Sequence, residues 1–467
     1  MTFLFIFLPI ALVLYHITPG KLKEFLLLAI SLIFYALGSV EYIALFTFAV
    51  ALTVLIGRGI DICSDNKTIR KCLLFTGISI NIALLGFYKY TNFAISTWND
   101  LTSGKIALRD IALPLGISFF TFKSISYLVD VYKKKVKLTK NPLHDALYLS
   151  FFPQTQSGPL SRYNDLTKAI PKRFDFDLVS DGIYRFMIGF SKKILLANVL
   201  SKITVEIFNA PIETASTIYV WLGSICYSLQ LFFDFSGYSD MAIGLTEMFG
   251  YKCPENFNYP YITDSVSKFW RRWHITLSEW FRDYIYIPMG GSRGESKWRV
   301  YFNLFVVWLL TGIWHGAAWN FVAWGLGYFV VISFEKFFNM PGRIKSGFGK
   351  ILYRILSLLF INFQWVLFNS KDLLSGLRFI KRMILPYNND LANIRTLFLM
   401  KDYAFFILIA ILLSTPIVPV ISRKLEKKKT ARILFETVMA LIVIGAFLWS
   451  VSFIVAGQNN PFAYANF

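Results

Sequence analysis

The chain has 467 residues, 55% of them hydrophobic, 18% aromatic and only 16% charged. A soluble chain carries about 25% charged residues and its core stops growing near about 250–300 residues, so this composition excludes an ordinary water-soluble fold and makes lipid the natural solvent. The net charge of +20, from 48 Lys and Arg against 28 Asp and Glu, does not point to nucleic acid: the cations sit in short blocks between apolar runs, as cytoplasmic loops facing anionic lipid do.

About twenty apolar residues cross a bilayer. In chain order, runs near that length fall at about 3–19, 25–38, 40–56, 72–88, 111–130, 181–200, 217–249, 301–338, 351–369, 402–421 and 433–456. The first, within MTFLFIFLPIALVLYHITPGKLKE, has no charged n-region and no small-residue cleavage site, so a retained span is expected. The runs 217–249 and 301–338 are long enough to fold back, the second around His315, Gly316, Ala317 and Ala318. About ten to twelve spans are expected, in one polytopic domain over 1–467.

Basic blocks follow span one (Lys21, Lys23), span three (Arg58, Lys67, Arg70, Lys71) and span five (Lys133, Lys134, Lys135, Lys137, Lys140), and another precedes the last span (Arg423, Lys424, Lys427, Lys428, Lys429, Arg432). Placing all four inside puts both termini outside and turns the amphipathic region 370–400 outward. The cysteines Cys63, Cys72, Cys226 and Cys253 form neither a CxxC pair nor a zinc spacing, so neither a disulfide framework nor a metal site is expected. Two stretches differ from plain spans. FFPQTQSGPLSRY (151–163) is interrupted by Pro153, Gly158 and Pro159, and KFWRRWHITLSEWFRDYIYIPMGG (268–291) is dense in both aromatics and charges. Both suit re-entrant or interfacial segments.

Three places carry candidate chemistry. His315 sits in WLLTGIWHGAAWNFVAWG, with no charged residue between Arg299 and Glu335. An ionisable group that deep is a functional candidate by default. Gly312, Gly316, Ala317 and Ala318 allow close approach, and Trp314 and Trp319 offer flat apolar walls. An imidazole removed from water stays neutral, the state a general base needs. The competing reading is a histidine hydrogen-bonded between helices.

His274 lies in FWRRWHITLSEWFRDYIYIP. At helical spacing Arg271, Glu279 and Arg282 share a face, and Arg272, Glu279 and Asp283 are within pairing reach. This is either an interfacial helix with its tryptophan belt or a funnel gripping an anionic donor such as coenzyme phosphates. In QLFFDFSGYSDMAIG, Asp234 and Asp240 sit inside an apolar run. Such carboxylates line a cavity or pair with a cation, and orienting a helix suits them better than catalysis. Gly290, Gly291 and Gly294 match no phosphate loop, and His16 and His144 lie near span ends with little signal.

The two histidine segments, together with FFPQTQSGPLSRY, LPLGISFFTFKSISYLVDVY and the C-terminal NNPFAYANF, resemble the membrane-bound O-acyltransferase family over nearly the whole chain. Within it they resemble the branch of the alginate O-acetyltransferase membrane subunit. The resemblance implies an all-α integral membrane fold: a bundle of about eleven transmembrane helices with re-entrant and interfacial helices. It places the catalytic histidine on His315 and a second functional histidine on His274. Arg271, Arg272, Arg282, Asp283, Trp314 and Asp234 become candidates for donor binding or site support. It implies no bound cofactor, a cytoplasmic acyl thioester such as acetyl coenzyme A as donor, and a hydroxyl acceptor reached from the outer side, on a partner protein or a cell-surface polysaccharide. Membrane lipid is a partner and nucleic acid is not. The expected location is the bacterial cytoplasmic (inner) membrane. One departure is the polar middle of FFPQTQSGPLSRY, which leaves Thr155 and Gln156 without a role.

The sister activity is D-alanyl transfer to teichoic acid from a carrier protein. A transporter or flippase is the alternative of another class, but no internal symmetry is visible and 268–291 has no counterpart in the first half. A scaffold for a secretion machine would leave His315 dispensable.

Overall fold

The computed structural model describes residues 2–167, 174–292, 297–385 and 391–457. Among them every regular element is helical. Among the described residues, seven helices are long and apolar enough to cross a membrane: Val40–Ile62, Lys67–Thr102, Thr217–Met248, Trp319–Phe338, Gly347–Asn369, Ile394–Leu413 and Lys429–Val455. The chain is a multi-pass membrane protein. NNPFAYANF and Gly294 lie outside the described residues.

Some apolar runs resolve differently from the sequence expectation. The 217–249 run does not fold back but forms one helix of 32 residues. The 301–338 run does break, into Lys297–His315 and Trp319–Phe338. The runs near 25–38 and 111–130 become Lys23–Gly38 and Ile117–Tyr132, 16 residues each. At about 1.5 Å per residue that is shorter than a hydrocarbon core of about 30 Å.

The chain divides into two compact units, the first built on Met1–Arg185 with Ala242–Pro254 and the second on Phe186–Met241 with Glu255–Asn466. In the first, helix Ile117–Tyr132 is buried along almost its whole length. It begins at Gly116, with φ of +66°, where a Cβ would stand 2.1 Å from the Thr155 carbonyl oxygen. The segment from Phe151 to Ser161 is irregular yet buried. Two of its backbone groups are met inside the protein: Phe152 N–H donates to Ser31 Oγ at 3.2 Å, and Tyr148 Oη donates to the Ser161 carbonyl at 3.1 Å. That is the condition for irregular backbone in an apolar setting. His16 Nε2 bonds the Met248 carbonyl at 3.0 Å and His144 Nδ1 bonds Glu24 at 2.9 Å, so both serve packing.

The second unit is centred on the hairpin of Lys297–His315 and Trp319–Phe338. Glycines let these helices touch backbone to backbone. A Cβ on Gly325 would lie 2.4 Å from the Trp308 carbonyl oxygen, and one on Gly312 would lie 2.5 Å from that of Phe321. Neither obstacle is a side chain that can rotate away. Gly325→Ala is therefore expected to destabilise the protein by about 1–3 kcal/mol, read as a lowered thermal midpoint in detergent.

Candidate active site

The hairpin turn sets the position of His315, the last residue of helix Lys297–His315. Three residues on, Ala318 is extended, with φ −154° and ψ 155°, and opens the next helix. Gly316 is required there, since a Cβ would meet the Phe321 ring at 2.1 Å. His315 is 2% exposed. Three aromatic rings stand edge-on to its imidazole: Trp314 at 4.7 Å, Trp324 at 4.8 Å and Phe368 at 5.1 Å between centroids. Trp319 is 55% exposed, and Trp324 and Phe368, which the sequence did not single out, stand against the imidazole. Polar clips hold the walls. Asn320 Nδ2 donates to the carbonyls of Leu367 and Ser370 at 3.2 and 2.9 Å, and Gln364 Nε2 donates to that of Trp324 at 2.7 Å.

The RRWH segment is not one helix. It consists of Val266–Trp270, Ile275–Phe281 and a π turn, Arg282–Tyr286. His274 stands in the break with φ of +45°. The break interrupts the helical spacing that would have put Arg271 on one face with Glu279 and Arg282. Arg282, half-exposed, donates from Nε to Asp283 at 2.7 Å and lies 3.8 Å from Glu279. Arg271 is exposed and Arg272 half-buried on the turn before His274. His274 itself is 1% exposed, with Phe235 edge-on at 4.6 Å and Trp314 at 6.3 Å. Trp314 is thus a wall common to both imidazoles. Burial pulls the His274 pKa well below the usual histidine range, so its ring is neutral at pH 7.

The break is anchored on both sides. Trp273 stacks on Phe269 at 5.4 Å and packs against Trp365 at 4.9 Å. Glu335, 2% exposed, accepts the N–H groups of Val266 and Ser267 at 2.7 and 2.8 Å and the Tyr353 hydroxyl at 3.0 Å. Its charge meets the positive end of the short helix that leads to His274.

Asp234 lies on the helix Thr217–Met248. It forms a buried ion pair with Lys193, while Asp240 pairs with Lys192 at 2.6 Å. The two lysines are the first residues of the π turn Lys192–Ala197, and their carboxylates are six positions apart. The same helices touch at Gly189 and Gly237, where a Cβ on either would lie 2.5–2.7 Å from the other's carbonyl oxygen. Asp234 thus meets a cation inside the protein, carried by the helical run before its own. Lys193, Glu335 and Asn256 escaped the sequence reading. Two adjacent lysines inside the 181–200 run were the available signal for the first. Among the described residues no group of three or more His, Cys, Asp and Glu could hold a metal ion.

The model of the membrane-bound O-acyltransferase family matches residues 91–377. A protein of Azotobacter vinelandii named probable alginate O-acetylase is 38% identical over 376 residues, which span 79% of this chain and 74% of that one. The peptidoglycan O-acetyltransferase of Helicobacter pylori is 34% identical over 416 residues, 82% of this chain and 78% of that one. The teichoic acid D-alanyltransferase of Bacillus subtilis is 34% identical over 277 residues, 55% of this chain and 69% of that one. The chain belongs to the membrane-bound O-acyltransferase family. It is an enzyme that transfers an acyl group to a hydroxyl.

Proposed function

We propose that the chain O-acetylates a cell-surface or secreted polysaccharide, with His315 as the general base. The observation that carries this reading is the pair of buried imidazoles, His315 and His274, on a shared tryptophan wall. In the reaction the acceptor hydroxyl attacks the thioester carbonyl. The O–C bond forms as the C–S bond breaks, the hydroxyl proton passes to His315, and His315 returns it to the departing thiolate. General-base assistance of this kind is worth about 10²–10⁴-fold. The aromatic enclosure of His315 keeps out water, which would otherwise hydrolyse the thioester.

Arg271 and Arg272, on the turn before His274, suit the phosphates of a coenzyme A thioester. Arg282 and Asp283 satisfy one another and support the fold of that segment, Asp234 supports helix packing, and Trp314 walls the site. The donor is acetyl coenzyme A or another cytoplasmic thioester, with no resident cofactor. The acceptor is a sugar hydroxyl or a periplasmic or extracellular partner that relays the acetyl group. The chain works as a single domain of about eleven spans in the bacterial cytoplasmic membrane. The family match from 91 to 377 draws on both compact units, which supports a single working domain. D-alanyl transfer is the second reading, and the shorter reach of the teichoic acid relative favours it less.

The test supplies radiolabelled acetyl coenzyme A, or a D-alanyl carrier thioester, to membranes with and without the chain. Chain-dependent, alkali-labile acetyl label on polymer or partner is the expected result. Label from the D-alanyl thioester alone would overturn the acetyl assignment.

A further inference from the structure

Asn256 is fully buried and converges on His274 from both its main chain and its side chain. Its carbonyl accepts the Ile275 N–H at 3.0 Å, and two residues on, the Asn258 N–H donates to the Arg272 carbonyl at 2.9 Å. These two bonds bracket His274 and hold it at its positive φ. The side-chain Oδ1 lies 3.0 Å from His274 Nδ1, 2.9 Å from Thr276 Oγ1 and 3.4 Å from the Thr276 backbone nitrogen. Nδ2 donates to Ser239 Oγ at 3.0 Å.

This arrangement settles the amide orientation and the histidine tautomer together. A backbone N–H can only donate, so the amide atom facing Thr276 is the oxygen. An amide oxygen can only accept, so Nδ1 of the neutral imidazole carries the proton. The lone pair is then on Nε2, which is buried and has no hydrogen-bond partner among the described residues.

We infer that Asn256 is a positioning residue for acyl transfer: it locks His274 in the Nδ1–H tautomer, so that Nε2 can accept a hydrogen bond from a hydroxyl of the acceptor but cannot donate one to the thioester oxyanion. The inference rests on the proposed acyl-transfer reading. It divides the labour of the two histidines, with His315 taking the proton and His274 orienting the hydroxyl-bearing substrate. With an apolar residue at 256 the ring is free to turn or to move its proton to Nε2. The group would then face the acceptor as a donor and meet the hydroxyl hydrogen with a hydrogen.

The test measures kcat and KM for acetyl transfer in membranes, normalised to folded protein by size-exclusion chromatography of a fluorescent fusion. Asn256→Leu is expected to lower kcat about 10–100-fold while the KM for acetyl coenzyme A stays within about threefold. Asn256→Ala removes the same oxygen without bulk and carries the same expectation should the leucine variant not fold. Asn256→Asp keeps an oxygen that accepts from Nδ1–H and from Thr276, and it should return kcat to within about fivefold of wild type. In a His274→Gln background, removing the Asn256 oxygen should cost no more than about twofold further, because the group it serves is gone.

Wild-type kcat in both the Leu and Ala variants would overturn the inference. So would an Asp variant as poor as they are, or losses that simply multiply with His274→Gln. A His315→Gln variant separates the two readings. If it transfers acetyl like wild type, the general-base role of His315 in the proposed function fails. If it is inactive while the Leu and Ala variants are fully active, only the role of Asn256 fails.

Discussion

Replacing His315 with alanine should lower acetyl transfer about 100-fold or more, the lower end of what a general base contributes. The expectation follows from the position of the ring rather than from its residue type alone. It is the last residue of its helix, 2% exposed, with the rings of Trp314, Trp324 and Phe368 edge-on to it. Alanine also leaves a hole among those rings, which would cost stability. His315→Gln separates the two effects, since it fills most of the volume and can hydrogen-bond but cannot accept a proton. Both variants should be inactive per molecule of folded protein, and only the alanine variant should show a lowered thermal midpoint. A scaffold role predicts the reverse, with normal function in both.

The second large effect is on stability. Lys193 and Asp234 are 6% and 2% exposed in their side chains, and each is the other's counter-charge. Asp234→Ala leaves a buried ammonium without it, and Lys193→Met leaves a buried carboxylate. Each single change should cost about 3–5 kcal/mol, whereas Lys193→Met with Asp234→Leu should recover most of the loss. Thermal unfolding in detergent would show this as two low midpoints and one near wild type. The neighbouring pair, Lys192 with Asp240, is 26% and 14% exposed, and its loss should cost less. If Asp234 acted directly on substrate, the double variant would be stable yet inactive, so its retained transfer activity is the check on a purely architectural role.

Much of this was legible in the sequence where one residue carried its own signal. A histidine in a long uncharged run is conspicuous, and the hairpin around His315 followed from the length of the run and its cluster of small residues. Asp234 paired with a cation as intramembrane carboxylates do. What the sequence hid depended on contacts between distant segments. Asn256 is an ordinary asparagine until the chain brings it to His274, 18 residues on. Glu335 looked like the end of a charge-free run, yet it caps a helix 69 residues earlier in the chain. The RRWH segment has a helical charge pattern, but the aromatic packing of Trp273 and the brackets from Asn256 and Asn258 break it at His274. That tertiary override separates Arg271 from the face that periodicity assigned to it. Trp319 and Trp324 are alike by composition, and only the direction of the helix after the turn leaves the first 55% exposed and buries the second against the imidazole.

The most direct test of the account is the single-turnover rate of acetyl transfer from labelled acetyl coenzyme A by wild type and His315→Gln, at equal amounts of folded protein in the membrane. The account predicts a chemical step slowed at least about 100-fold in the variant with little change in donor binding. Equal rates in the two proteins would contradict it, and would remove His315 from the chemistry.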